Sequence, residues 1–391
     1  MFLTARRLFD GRTPHVWPGW GMEIEGGRIA AIGPARSMRP RSEVIDLGDV
    51  TLLPGLIDVH QHLAFDASGD PVGHLQAADD TTVLATMRRA ARVALAAGIT
   101  TVRDLGDRGY LSLTPRDEFA AGDQVGPRIL AAGPPLTVTG GHCWFLGGEA
   151  DGIDGVRGAV RDHAARGVDV IKIMATGGNL TPTLGPHQSQ YSRAELSAAV
   201  EEAHAHGLPV AVHAHGGQGI ADALAAGADS VEHCTFFTED GVDADPAVLD
   251  RLARSRIAIT MTGAVLPGSR PPVPAIRDRL AAILANHATL YRAGARIVCG
   301  SDAGVTPTKP HDVLPYGVSR FLPALGMTNA QALTSATATA AEVCGIADVT
   351  GTLQVGRDAD VIAVAGDPIE DLAAIHDIVA VYARGRRVVS S

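Results

Sequence analysis

Apolar and polar positions change period along this chain, and the changes divide it into three parts. Residues 1–50 run as short alternating segments, FLTARRLFDG, WGMEIEGGRIAAIG and SEVIDLG, separated by turn residues. Alternation with a period of two predicts short strands with one buried face. Gly26-Gly27 between two such runs predicts a hairpin. The C-terminal segments GTLQVGRDADVIAVAG and IHDIVAVYARGRRVVS read the same way. Two β-rich ends around a middle of another kind are arranged most simply if the ends meet in one small β-domain.

The middle alternates between apolar runs and longer Ala-rich stretches. Strands are predicted over 52–62, 100–105, 128–136, 168–175, 209–215, 230–234, 257–262 and 296–301. Between them, stretches such as TTVLATMRRAARVALAAG, GIDGVRGAVRDHAARG, SRAELSAAVEEAHAHG and RDRLAAILANHATLYRAG have helical spacing, and several end in glycine, a helix stop. Ser192 followed by Glu195 predicts a capping box. Eight strands alternating with helices predict a parallel α/β sheet, closed as a barrel or open and doubly wound. No GxGxxG follows the first strand, which weakens a dinucleotide-binding reading.

Composition narrows the partners. The 391 residues carry a formal net charge of −10 and no Lys/Arg cluster larger than Arg384 to Arg387, so a nucleic acid partner is not expected. No run of about 18 apolar residues occurs, so no membrane span is expected. The start, MFLTARRLFDG, does not read as a secretory signal. Cys143, Cys234, Cys299 and Cys344 are far apart without CxxC spacing, which predicts buried reduced thiols and a cytoplasmic protein. A homo-oligomer stays open.

The chemistry concentrates where strands end, which is where barrel enzymes build their sites. The first strand ends in Asp58-Val59-His60-Gln61-His62, the fourth holds Lys172, the fifth ends in His213-Ala214-His215, the sixth in Glu232-His233 and the eighth in Ser301-Asp302. Residues i and i+2 of a strand share a face, so His60 projects with His62, and His213 with His215. Imidazoles with one aspartate suit Zn²⁺, Mn²⁺, Ni²⁺ or Fe²⁺, with zinc the first choice. Lys172 is out of place in an apolar strand. It either pairs with an acid or, carboxylated by CO₂, becomes an anion that bridges two cations. His163, His204, His206 and His287 fall on predicted helices, and His15 and His376 in the end segments; these read as ordinary surface or packing residues. His74 and His311 fall in predicted loops and stay open.

PGLIDVHQH, VIKIMATGG, VAVHAHG, SVEHC, CGSDAG and GTLQVGRDADVIAV together resemble the amidohydrolase superfamily, in its imidazolonepropionase-like and Xaa-Pro dipeptidase-like branch. The resemblance runs over nearly the whole chain. It implies a (β/α)₈ TIM barrel with a small β-sandwich made from both chain ends, divided as 1–54, 55–348 and 349–391. It also implies roles. His60 and His62 would bind the more buried metal, carboxylated Lys172 would bridge, and His213 and His233 would hold the second metal. Asp302 would touch the first metal and act as general base. His213 is chosen over His215 because it matches the fifth-strand histidine of relatives with only one there; His215 would then face the substrate. Relatives often carry Gly-Gly-His-Gly after the third strand. Here the segment is Gly140-Gly141-His142-Cys143-Trp144, so His142 remains while the pocket wall beside it differs.

The expected activity is hydrolysis of an amide in a small molecule, peptide-like or an N-acyl amino acid, by hydroxide bridging two divalent metals. Asp302 would move the proton, and His142 or His215 would stabilise the oxyanion. Tyr191, in the loop NLTPTLGPHQSQYS with His187 and Gln190, is a candidate for a substrate carboxylate. The alternatives are a cyclic-amide hydrolase or a one-metal aminohydrolase, and, outside enzymes, a scaffold that has lost its ligands. None of the six ligand positions is lost here.

Overall fold

A computed structural model of the chain describes residues 1–181, 183–269 and 274–388. Both chain ends contribute to one β-domain. A four-stranded sheet orders Arg28–Pro34, Trp20–Glu25, Phe2–Thr4 and Val44–Asp46. A six-stranded sheet orders Arg386–Arg387, Ile378–Ala383, Val361–Ala365, Val50–Pro54, Arg7–Leu8 and Trp17–Pro18. Val361 lies opposite Pro54 and Ala365 opposite Val50, so first and last strands share one ladder. Gly26 and Gly27 turn the predicted hairpin with φ of 56° and 83°, the positive values a two-residue hairpin turn of this hand requires. Leu3, Met22, Ile29, Leu52, Val361 and Tyr382 form the core of this domain, and burying each large side chain contributes about 1.5–3 kcal/mol.

The middle is a closed barrel of parallel strands: β1 (Leu56–Gln61), β2 (Ile99–Asp104), β3 (Arg128–Ala131), β4 (Ile171–Met174), β5 (Val210–Gly216), β6 (Ser230–Phe237), β7 (Ala258–Met261) and β8 (Arg296–Cys299). Regular ladders join β1–β2–β3 and β4 through β8. Two seams close the ring. At one, Leu136 N–H donates to Lys172 O and Met174 N–H to Leu136 O, both at 2.8 Å. At the other, Asp302 N–H donates to His60 O at 2.7 Å and His62 N–H to Ala303 O at 3.0 Å. The first seam is short because β3 runs into Gly133-Pro134-Pro135, and proline has no N–H for a ladder.

Helices return the chain between strands: α1 (Asp80–Ala96), α2 (Leu113–Ala121), α3 (Gly152–Arg166), α4 (Arg193–Ala205), α5 (Gly217–Ala226), α6 (Pro246–Arg254), α7 (Pro274–Arg292) and α8 (Asn329–Ser335). The predicted capping box opens α4, with Ser192 and Glu195 satisfying each other's backbone N–H. Among the described residues no helix is long and apolar enough to cross a membrane. The four cysteines are buried and free.

Strand bounds differ from the sequence expectation at informative places. The run 52–62 is two strands, one in each domain, broken at Gly55. A Cβ there would lie 2.1 Å from Thr100 Oγ1, so only glycine lets the chain cross from one sheet to the other. The run 128–136 shortens to β3 for the proline reason above. β6 extends three residues beyond the expected end, through a distorted segment that matters for the site.

Candidate metal centre

Alternation along β1 decides what faces inward. Ile57 and Val59 pack against Ala340, Ala341 and Val343 outside the barrel. His60 and His62 take the other face and meet Asp302 from the end of β8. His60 Nε2 and His62 Nε2 lie 3.5 and 3.4 Å from the same Asp302 oxygen, Oδ1. In a tetrahedron with ligand bonds of about 2.0–2.1 Å, ligand atoms are about 3.3–3.4 Å apart. The spacing therefore fits three ligands on one cation. A second trio, His213, His215 and His233, presents ring nitrogens within 4.8 Å of one another. Ring centroids of His60 and His233 are 5.0 Å apart, so the two trios adjoin.

The remaining nitrogen of each ring shows which one is free. His60 Nδ1 bonds Glu232 Oε2 at 2.7 Å, His233 Nδ1 bonds Thr262 Oγ1 at 2.8 Å, and His215 Nδ1 bonds Thr235 Oγ1 at 2.9 Å, leaving Nε2 in each. His213 is reversed: Nε2 faces Gly177 O at 3.1 Å, so Nδ1 is free. A hydrogen bond on one nitrogen fixes the tautomer that the other offers a metal. Burial holds these rings neutral, the ligating form: the His60 imidazole is pushed down to about 3, with the Lys172 charge adding to the effect, and His215 to about 4.

Lys172 is buried, and its Nζ has no hydrogen-bond partner among the described residues. The pairing with an acid that a structural role would need is therefore absent there. Lys172 lines the same cavity as both trios. Burial pushes the ammonium down to about 8 against the pull of Glu232 and Asp302. The shift leaves a larger share of neutral amine near neutral pH than an ordinary lysine has. An orphaned buried nitrogen lining one cavity with two histidine-rich clusters fits a centre for divalent cations.

Several residues to which sequence reasoning assigned no role support this set. Glu232 Oε1 accepts from Arg103 at 3.1 Å and from Ser230 Oγ at 2.6 Å, while Oε2 holds His60. Burial raises the Glu232 carboxyl, but Arg103 and His60 outweigh it and hold the group well below the usual range. Asp58 ties β1 to β8: it accepts from Ser301 N–H at 3.0 Å, Ser301 Oγ at 2.5 Å and Gln61 Nε2 at 2.9 Å. Lys309 donates to Thr262 O and Ser301 O, and its Nζ is 3.7 Å from Asp302 Oδ2. Against burial, which raises it, Lys309 brings the Asp302 carboxyl well below its ordinary value. His287, read as an ordinary helix residue, donates to the carbonyls of His233 and Cys234 at 3.1 and 3.0 Å. His311, left open, approaches His62 O at 3.2 Å. The signal available for the core pair was Arg103 itself, an arginine in an apolar strand, as odd as Lys172.

Backbone strain gathers here too. Of eight described non-glycine residues with positive φ, Cys143, His233 and Asp302 line the central cavity, and Cys234 and Phe236 adjoin His233. Each such residue costs about 1–3 kcal/mol and persists where surroundings enforce it, commonly at functional sites. At His233 the φ of 69° has a visible effect. It lets adjacent Glu232 and His233 both serve the barrel interior, which straight alternation forbids.

His60, His62, His142, Lys172, His213, His215, His233 and Asp302 all line one cavity of about 500 Å³. The His142 ring lies 4.8 Å from that of His213 and packs flat on Gly178, where a Cβ would be 2.3 Å from His142 Nε2. Tyr191 is not brought in. It is buried in the outer core, its hydroxyl donating to Ala150 O at 2.8 Å, so the expected carboxylate contact is corrected to a packing role. Gln190 secures the same loop through Met174 O. His163 bonds Pro134 O, His204 pairs with Asp229, His206 with Glu202 and exposed His74 with Asp66. His376 packs tilted against Tyr316, and His15 meets Trp17 edge to face.

A model of the Amidohydrolase family matches residues 51–388. An ochratoxinase of Aspergillus niger is 32% identical over 356 residues, 82% of this chain and 71% of that one. An imidazolonepropionase of Saccharopolyspora erythraea is 32% identical over 282 residues, 66% of each chain. A Xaa-Pro dipeptidase solved with methionine in its active site is 30% identical, with a TM-score of 0.85 over 100% of this chain and 99% of that one.

Proposed function

The chain belongs to the amidohydrolase family and is a metal-dependent hydrolase of C–N bonds; from that premise we propose that it holds two divalent metals and cleaves an open-chain amide, peptide-like or an N-acyl amino acid. The observation that carries this reading is Lys172, a buried amine without a partner among the described residues, lining one cavity with both ligand trios. His60, His62 and Asp302 would hold one metal, His213 and His233 the other, and carboxylated Lys172 both. Zinc suits the mixed nitrogen and carboxylate donors first, with manganese, nickel or iron as alternatives. The working division is 1–54 and 349–391 for the β-domain and 55–348 for the barrel.

When bound, the metals supply Lewis acidity, polarising the amide carbonyl and letting water ionise near neutral pH. The chain's own groups do the rest. Asp302 accepts the proton of the attacking water and returns it to the leaving amine; Lys309 keeps the carboxylate ionised and oriented between these transfers. His142, lining the cavity, donates to the developing oxyanion, or His215 does in the tautomer that carries its proton on Nε2. Similarity to a Xaa-Pro dipeptidase and an ochratoxinase supports an amide substrate. Similarity to an imidazolonepropionase supports the second reading, a cyclic amide. The role of Asp302 is tested by Asp302→Asn: metal is retained while turnover of amides falls by about 10²–10⁴-fold. Near-normal turnover would remove Asp302 as the proton carrier.

A further inference from the structure

His287, on α7, is a helical histidine whose ring lines the metal cavity. Ile283 and Leu284, one turn earlier on the same helix, line the cavity beside it. The ring is buried and meets Phe321 edge on, with centroids 6.3 Å apart. Its Nε2 faces two carbonyl oxygens, His233 O at 3.1 Å and Cys234 O at 3.0 Å. Carbonyls only accept, so the ring's proton is on Nε2 and is shared between them.

These two carbonyls lie where β6 leaves its ladder with β7. Ser230, Val231 and Glu232 pair with Ala258, Ile259 and Thr260, and the pairing stops there. The chain then turns left-handed: φ is 69° at His233, 51° at Cys234 and 57° at Phe236. Three such residues in four, none of them glycine, persist only where their surroundings hold them. A buried carbonyl that leaves a ladder also needs a new donor. His287 meets both needs, and no other described side chain bonds the backbone of residues 233–236. Glu232 is still held by the ladder, so the turn governs where His233 points.

We propose that His287 is a positioning residue for the second metal. By bonding both carbonyls it holds the left-handed turn that aims the His233 ring at that metal. The Thr262 hydroxyl, bonded to His233 Nδ1 at 2.8 Å, sets the rotation of the ring; His287 sets the backbone that carries it. His60, His62 and Asp302 lie outside the turn, so the first metal does not depend on His287. The proposal rests on the two-metal reading above.

The test loads zinc into three metal-free proteins: the wild type, His287→Leu, which lacks the donor, and His287→Gln, whose side-chain amide keeps one. Competition with a chelator reads the affinity of each metal. In His287→Leu one of the two metals is expected to bind about 10–100-fold more weakly, the effect of losing a partner that orients a ligand. The other metal keeps its affinity, and His287→Gln binds both nearly as the wild type does. Wild-type affinity for both metals in His287→Leu, equal weakening of both, or His287→Gln as impaired as His287→Leu overturns the proposal. If His287→Leu does not fold, His287→Asn, whose amide is too short to reach the carbonyls, is held to the same criteria. If the wild type binds only one metal, the two-metal reading fails, and crystal structures of metal-free wild type and His287→Leu decide this proposal separately. A His233 that leaves the left-handed region in the variant upholds it; an unchanged turn overturns it.

Discussion

Replacing Glu232 by alanine removes the carboxylate that neutralises Arg103 and orients His60. Arg103 is only 2% exposed, and without Glu232 its remaining contacts are Val59 O at 2.6 Å and Ser230 Oγ at 3.4 Å. Removing one member of a buried ion pair costs about 3–5 kcal/mol. An unfolding entropy of about 2.1 cal/mol/K per residue, taken over 391 residues, is about 0.8 kcal/mol/K. The expected drop in Tm of metal-free protein is therefore about 4–6 °C. Glu232→Gln keeps the volume and one acceptor, so its Tm falls less. It can no longer offer one carboxylate oxygen to His60 and the other to Arg103, and loss of a ligand-orienting partner weakens metal affinity by about 10–100-fold. Thermal melts of metal-free protein read the first effect, and competition with a chelator reads the second. An unchanged Tm in Glu232→Ala, or wild-type metal affinity in Glu232→Gln, would refute the reasoning.

Two predictions concern the fold. Asp104 and Asp107 are buried neighbours. Burial raises both carboxyls, Asp107 to about 6, and the Asp107 charge raises Asp104 further. A carboxyl with a higher pKa folded than unfolded loses stability as pH rises from the unfolded value of about 3.9 through the folded one. Asp104→Asn is therefore expected to raise Tm by a few degrees at pH 8 and by less at pH 5; an equal effect at both would contradict the assignment. Gly55→Ala places a methyl 2.1 Å from Thr100 Oγ1 at the crossing between domains. It is expected to lower Tm by several degrees or abolish soluble expression, and a wild-type melt would show that the crossing relaxes freely.

The barrel was legible because its signals are local. β/α alternation, glycine stops and the Ser192–Glu195 box each depend on neighbours a few positions apart. His60 and His62 were legible for the same reason, since i and i+2 on a strand share a face. What escaped depends on pairing across the barrel or on departures from regular backbone. Glu232 precedes His233, so alternation assigns it the opposite face; only the positive φ at His233 brings both inward. Arg103 and Glu232 come from strands far apart in sequence and meet only once the ring closes. His287 is helical, and its bond to the β6 backbone depends on how α7 docks. Tyr191 shows the converse error: a polar aromatic in a long loop suggested a ligand contact, but its hydroxyl is satisfied by a backbone carbonyl in the core.

The account's central claim is that Lys172 joins two metals. Metal content per chain, measured on protein purified with added zinc or manganese beside Lys172→Ala, tests it most directly. The account predicts about two metals per chain in the wild type and a clear loss in the variant. One metal per chain, indifferent to Lys172, would contradict it and bring the cyclic-amide and one-metal aminohydrolase readings forward.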